Sequence, residues 1–65
     1  MITVNGKEYE SFEGKSVAEL ISELSYKTAY IAVEMNGEIL KKDKYTETIL
    51  KENDKLEVVN FVGGG

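Results

Sequence analysis

Cysteine, histidine, proline, tryptophan and arginine are all missing from this chain. Without cysteine there is no disulfide framework, no thiolate nucleophile and no cysteine-based zinc site. Without histidine, the usual near-neutral general base and the commonest metal ligand are both gone. Length removes more. A domain of 65 residues buries only about 60% of the surface that its unfolded form exposes, which leaves little room for a deep private cleft. Most self-contained enzyme mechanisms are thereby excluded. Long apolar runs are scarce too, and none approaches the roughly 18 residues of a membrane span. The first residues carry a strand-like pattern in place of a signal peptide's charged and apolar regions. The expected compartment is the cytoplasm.

Charge of one sign dominates. Twelve acidic groups stand against eight basic ones, all lysines, for a formal net charge of -4. Nucleic acid and anionic membrane both require a basic patch, so neither is an expected partner. The balance suits steering toward a protein with a positive face.

What is present is a strongly patterned short chain. Met1 to Asn5 alternates, with Ile2 and Val4 on one face and Thr3 on the other. Asn5-Gly6 suits a type I′ turn, because both residues tolerate positive φ. Lys7 to Phe12 then reads as a second strand with Tyr9 and Ser11 inward, completing a hairpin. Ser16-Val17-Ala18-Glu19 fits a capping box. Val17, Leu20, Ile21 and Leu24 follow at i, i+3, i+4 and i+7, predicting a helix to about Ser25 or Tyr26. Tyr30 to Asn36 reads as a third strand with Ile31, Val33 and Met35 on one face. A second Asn-Gly turn, Asn36-Gly37, leads to the apolar pair Ile39-Leu40. Lys41 to Thr48 is polar around Tyr45 and reads as irregular or a single helical turn. Thr48-Ile49-Leu50 is a candidate short edge strand, Glu52-Asn53-Asp54 is turn chemistry, and Lys55 to Val62 is a strong last strand. One helix between the second and third strands can lie across a mixed sheet of four to five strands. The expected class is α+β, a β-grasp (ubiquitin-like) domain over residues 1–62 followed by a flexible glycine tail at 63–65.

The tail carries most of the chemistry. Three of the six glycines are the last three residues, and glycine loses the most conformational entropy on ordering. Fully extended, Gly63, Gly64 and Gly65 reach about 10 Å, at roughly 3.3–3.6 Å per residue. With no side chains, such a thread enters channels too narrow for other sequences. It delivers the α-carboxylate of Gly65, ionised at neutral pH because its ordinary pKa is about 3.3–3.7. A carboxylate is a poor electrophile until a partner activates it, for example as an acyl-adenylate made with ATP and Mg²⁺. Beside the tail, alternation along the last strand turns Glu57, Val59 and Phe61 away from the core. Val59 and Phe61, with Val62, are the candidate docking residues, since aromatic and apolar groups anchor interface cores. The competing reading has Phe61 merely covering a sheet edge or the helix end. The acidic pairs Glu8/Glu10 and Glu52/Asp54 read as solvated surface, and no metal site is expected. Tyr9, Tyr26, Tyr30 and Tyr45 read as packing residues with wet hydroxyls.

Phe61-Val62-Gly63-Gly64-Gly65 after Asp54-Lys55-Leu56-Glu57-Val58-Val59 resembles the end of the ThiS family, the sulfur carriers of thiamin biosynthesis. Ile2-Thr3-Val4-Asn5-Gly6-Lys7 and Ile31-Ala32-Val33-Glu34-Met35-Asn36-Gly37-Glu38-Ile39-Leu40 are similar to it as well. A terminal Gly-Gly is shared with ubiquitin-like protein modifiers and with MoaD, the small subunit of molybdopterin synthase. The length and the paired Asn-Gly turns favour ThiS among them. The chain departs from many relatives at Glu52-Asn53-Asp54, where they have Asp-Gly-Asp. It departs again at Lys41-Lys42 and Tyr45, where they carry Pro-Arg and an aromatic residue. The resemblance implies a carrier and not an enzyme. A ThiF-like enzyme would adenylate Gly65 with MgATP, and a persulfide from a cysteine desulfurase would convert it to a thiocarboxylate. A ThiG-like thiazole synthase would then accept the sulfur. No cofactor would be bound by this chain itself.

Overall fold

The computed structural model describes residues 1–61. Five strands and one helix follow in the order β1 (Ile2–Val4), β2 (Lys7–Tyr9), α1 (Val17–Glu23), β3 (Ile31–Met35), β4 (Glu38–Leu40) and β5 (Lys55–Asn60). Single 3-10 turns at Thr28–Tyr30 and Lys42–Lys44 join them. The sheet order is β2-β1-β5-β3-β4. β5 runs parallel to β1 and antiparallel to β3, so the last strand closes the middle of a mixed sheet. This is the expected β-grasp arrangement, with α1 as its single lid.

Local chemistry explains each element. Asn5 and Gly6 take φ of 51° and 84°, and Asn36 and Gly37 take 52° and 87°. Two positive φ values per turn give the twist that two-residue hairpins need. Both Asn-Gly pairs accordingly join adjacent antiparallel strands, with Val4 opposite Lys7 and Met35 opposite Glu38. At the start of α1 the Ser16 hydroxyl accepts from the Glu19 N–H at 3.1 Å. The Glu19 carboxylate in turn accepts from the Ser16 N–H at 2.7 Å, completing the capping box.

The helix ends earlier than its periodicity predicts. Ser25 sits at φ 66°, its N–H donating to the Ser22 carbonyl while the Tyr26 N–H donates to that of Ile21. These two bonds form a Schellman motif, which stops the helix after Leu24 and satisfies its last carbonyls. Its left-handed position holds serine, where glycine would carry no Cβ penalty. Ser25→Gly is expected to raise stability by about 0.5–1 kcal/mol, read from the urea midpoint at unchanged m-value.

The core lies between α1 and one face of the sheet. Ile2, Val4, Ile31, Val33, Leu56 and Val58 from the strands meet Val17, Leu20 and Ile21 from the helix, all buried. Leu24 is partly buried against them, so the helical stripe is core, as its spacing predicts. Three strand expectations need correction. The second strand stops at Tyr9, Ser11 is exposed, and Phe12 instead turns inward to pack tilted against Tyr9, 5.4 Å between ring centroids. A chain leaving the sheet edge no longer obeys period-two alternation, and burial of the larger apolar group decides. Ile49 makes only an isolated bridge to Ser16, so Thr48-Ile49-Leu50 is no strand, although Leu50 is core. The last strand ends at Asn60. The expected boundary between domain and tail, with Val62 and Gly63 to Gly65, lies outside the described residues.

Candidate functional site

β5 leads to the C-terminal residues, so its surroundings define the site. Its side chains alternate cleanly. Leu56 and Val58 face the core, whereas Lys55, Glu57 and Val59 are exposed on the sheet face that α1 leaves open. Val59 is 56% exposed and Phe61, just beyond the strand, 51%. The Phe61 N–H donates to the Tyr30 carbonyl at 2.6 Å, which continues the β3–β5 ladder past its last named pair. Tyr30 is itself about half exposed. Both described docking candidates are therefore on the surface at the end of β5. Val62 is not among the described residues.

Pairing across the sheet sets what accompanies them. Val59 lies opposite Ala32, and Glu57 opposite Glu34, which in turn lies opposite Ile39. Ile39 is 75% exposed, the most open large apolar side chain described. The open face thus carries apolar groups beside two carboxylates set directly across from one another. Like charges in that relation oppose strand pairing. Among the described residues neither Glu34 nor Glu57 makes a salt bridge.

Other polar groups are structural. Asp54 is buried, which corrects the expectation that its pair with Glu52 is solvated surface. Its carboxylate accepts from Asn36 Nδ2 at 3.0 Å and from the Lys51 N–H at 2.8 Å, pinning the turn before β5. Glu52 instead meets the Met1 ammonium, as does Glu13 at 2.8 Å. Those hydrogen bonds, first from Glu13 and then from Glu52, raise the amine's pKa to about 10 and hold the Glu13 carboxyl below its usual range. Tyr45 is buried with its hydroxyl, against the expectation of a wet one. Burial raises its pKa, and the neighbouring Val33 backbone gives it no well-formed hydrogen bond. Among the described residues no group of three or more acidic side chains is placed to hold a metal ion. No described helix is long and apolar enough to cross a membrane. An open groove lined by Met35, Asn36, Glu47, Thr48, Ile49, Lys51 and Asp54 lies at the opposite end of β5 from Phe61.

Sequence reasoning missed Tyr30 beside Phe61 and the exposed Ile39 across from Glu34, because their positions follow from strand order. It also assigned Asn5 and Asn36 to turns only. Both side chains reach β5: Asn5 bonds to Val58, and Asn36 Oδ1 accepts from the Lys55 N–H at 2.9 Å. Asparagine is the ordinary residue at that turn position, so nothing local in the sequence signals the reach.

The ThiS family model matches residues 2–65. A thiazole synthase of Paramagnetospirillum magneticum is 38% identical over 64 residues, covering 98% of this chain but 20% of that protein. The sulfur carrier protein ThiS of Bacillus subtilis is 33% identical over 66 residues, covering 100% of both. The chain thus spans about a fifth of the thiazole synthases it matches and the full length of the Bacillus carrier. The crystal structure of the thiamine biosynthesis protein ThiS from Geobacter metallireducens superposes with a TM-score of 0.78 at 39% identity. It covers 98% of this chain and 97% of that one.

Proposed function

The chain belongs to the ThiS family, and from that premise we propose that it is a sulfur carrier for thiazole formation, a co-substrate of partner enzymes in the cytoplasm. The observation that carries this reading is the placement of β5. The strand is locked into the middle of the sheet, exposes Val59 and Phe61 at its end, and leads directly to Val62, Gly63, Gly64 and Gly65. A carrier needs such a rigid handle beside a slender reactive end. The absence of cysteine from the sequence agrees with it, since sulfur has no thiol here on which to ride.

In the proposed sequence a ThiF-like enzyme binds MgATP, and the Gly65 carboxylate displaces pyrophosphate to form an acyl-adenylate. The terminal sulfur of a persulfide, supplied through a cysteine desulfurase, then attacks the acyl carbon and expels AMP. Cleavage of the resulting S–S bond by a thiol, itself oxidised to the disulfide, leaves the thiocarboxylate. A ThiG-like thiazole synthase accepts that sulfur. Relatives called thiazole synthases that contain a segment like this chain support that branch over the molybdopterin one. ATP and Mg²⁺ belong to the activating partner. Incubating the chain with such an enzyme, MgATP and a sulfur donor is expected to replace one oxygen by sulfur in the intact mass. Persistence of the unmodified mass with a competent enzyme would reject the carrier reading.

Docking is expected to use Val59, Phe61 and Val62. Phe61→Ser changes a half-exposed group beyond the strand and should stay within about 0.5 kcal/mol of the parent, whereas Val59→Thr keeps the β-branched shape within the central strand and swaps a methyl for a hydroxyl. Loss of a buried interface anchor costs about 2 kcal/mol or more, so KM for adenylation should rise roughly 30-fold. An unchanged KM for both variants would place docking elsewhere.

A further inference from the structure

Backbone pairing between β1 and β5 stops early. The Thr3 N–H donates to the Asp54 carbonyl at 3.0 Å and the Asn5 N–H to that of Leu56 at 2.9 Å. The next rung would fall at Val58, but the chain has by then turned away through Asn5 and Gly6. The Asn5 side chain occupies that rung. Its Nδ2 donates to the Val58 carbonyl at 3.1 Å, and its Oδ1 accepts from the Val58 N–H at 2.8 Å. A carboxamide has the same donor and acceptor as a peptide group, so it extends the ladder by one residue where β1 has no backbone left to offer. The Tyr26 hydroxyl, 3.3 Å from Nδ2, steadies the amide from the helix side.

We propose that Asn5 is a positioning residue for the end of the last strand: its side chain stands in for a missing β1 peptide group, holds β5 at Val58, and so sets Val59 and Phe61 for docking. Beyond Leu56 the described bonds hold β5 from two sides only because of Asn5. On the other side Val59 pairs with Ala32 and the Phe61 N–H meets Tyr30. The role in docking rests on the carrier reading, whereas the tie's grip on the strand end does not. Asn36 provides an internal comparison. It has the same turn conformation and also bonds to β5, but at Lys55, the end farther from Phe61.

Asn5→Gly keeps the positive φ and removes the amide, and Asn36→Gly does the same at the other end. Asn36→Gly should lose at least as much stability, because it also takes a donor from the buried Asp54 carboxylate. Asn5→Gly alone should speed amide hydrogen exchange at Phe61 about tenfold, the factor expected from the net loss of one to two hydrogen bonds. That amide bonds to Tyr30 and not to Asn5, so its exchange reports the strand end. The same variant should raise KM for adenylation several-fold at unchanged kcat, and Asn36→Gly should not. Asn5→Asp keeps the turn and the acceptor but sets a carboxylate oxygen against the Val58 carbonyl in place of the donor, and should shift exchange in the same direction. Parental exchange at Phe61 in both Asn5 variants would overturn the tie. Equal kinetic losses in Asn5→Gly and Asn36→Gly would reduce it to general stability. If even the parent chain is not adenylated, the carrier reading fails and the exchange rates still decide the tie.

Discussion

Removal of Gly65 is expected to abolish thiocarboxylate formation while leaving the urea unfolding midpoint unchanged. The shortened chain still ends in a carboxylate, so the effect is one of reach and not of chemistry. Deleting a residue withdraws the reacting carbon by roughly 3.3–3.6 Å. Productive attack requires reacting atoms about 3–3.5 Å apart, and a misplacement of about 1 Å can already cost some 100-fold in rate. A withdrawal several times larger should bring adenylation below about 1% of the parental rate. Pyrophosphate release and intact-protein mass measure it, and urea unfolding supplies the control. Parental thiolation by the shortened chain would show that the terminal residue is not the carrier position.

Leu56→Ala is expected to bring the domain to the edge of unfolding. Leu56 is fully buried, lies opposite Val4 and Met35, and sits in the strand that closes the sheet. Truncating a buried leucine costs about 2–5 kcal/mol, from lost transfer energy together with the cavity left behind. A domain of 65 residues has only about 3–10 kcal/mol of stability in total. Ile39→Ala removes a similar volume from the open face and should shift stability by no more than about 0.5 kcal/mol. A urea titration of both variants at equal protein concentration makes the comparison. Equal midpoints would mean that β5 is not the keystone of this core.

The contrast between those two residues also marks how far a chain reads as structure. Val17, Leu20 and Ile21 announced a helix face and a core together, because one period serves both. The Asn-Gly pairs announced hairpins, because few residues accept two consecutive positive φ values. Alternation misplaces Phe12 and Ser11, because it holds only while a strand stays in register. Periodicity runs past the helix end because Ser25 adopts a conformation more natural to glycine. Tyr45 was expected to be wet because a phenol ordinarily keeps one end in water, yet packing enclosed it.

Composition and local periodicity alone determined that this chain has no thiol or imidazole of its own and that one helix lids a mixed sheet, and they pointed to the C-terminal glycines as the proposed place for chemistry. Each of those properties resides in the identity of residues or in the spacing of near neighbours. Tertiary structure alone decided that the last strand lies between the first and third, that Glu34 faces Glu57, and that Asn5 reaches Val58, 53 residues away. Strand order and register are set by which distant apolar faces can share one core. That choice belongs to the whole chain, and no short window of sequence contains it.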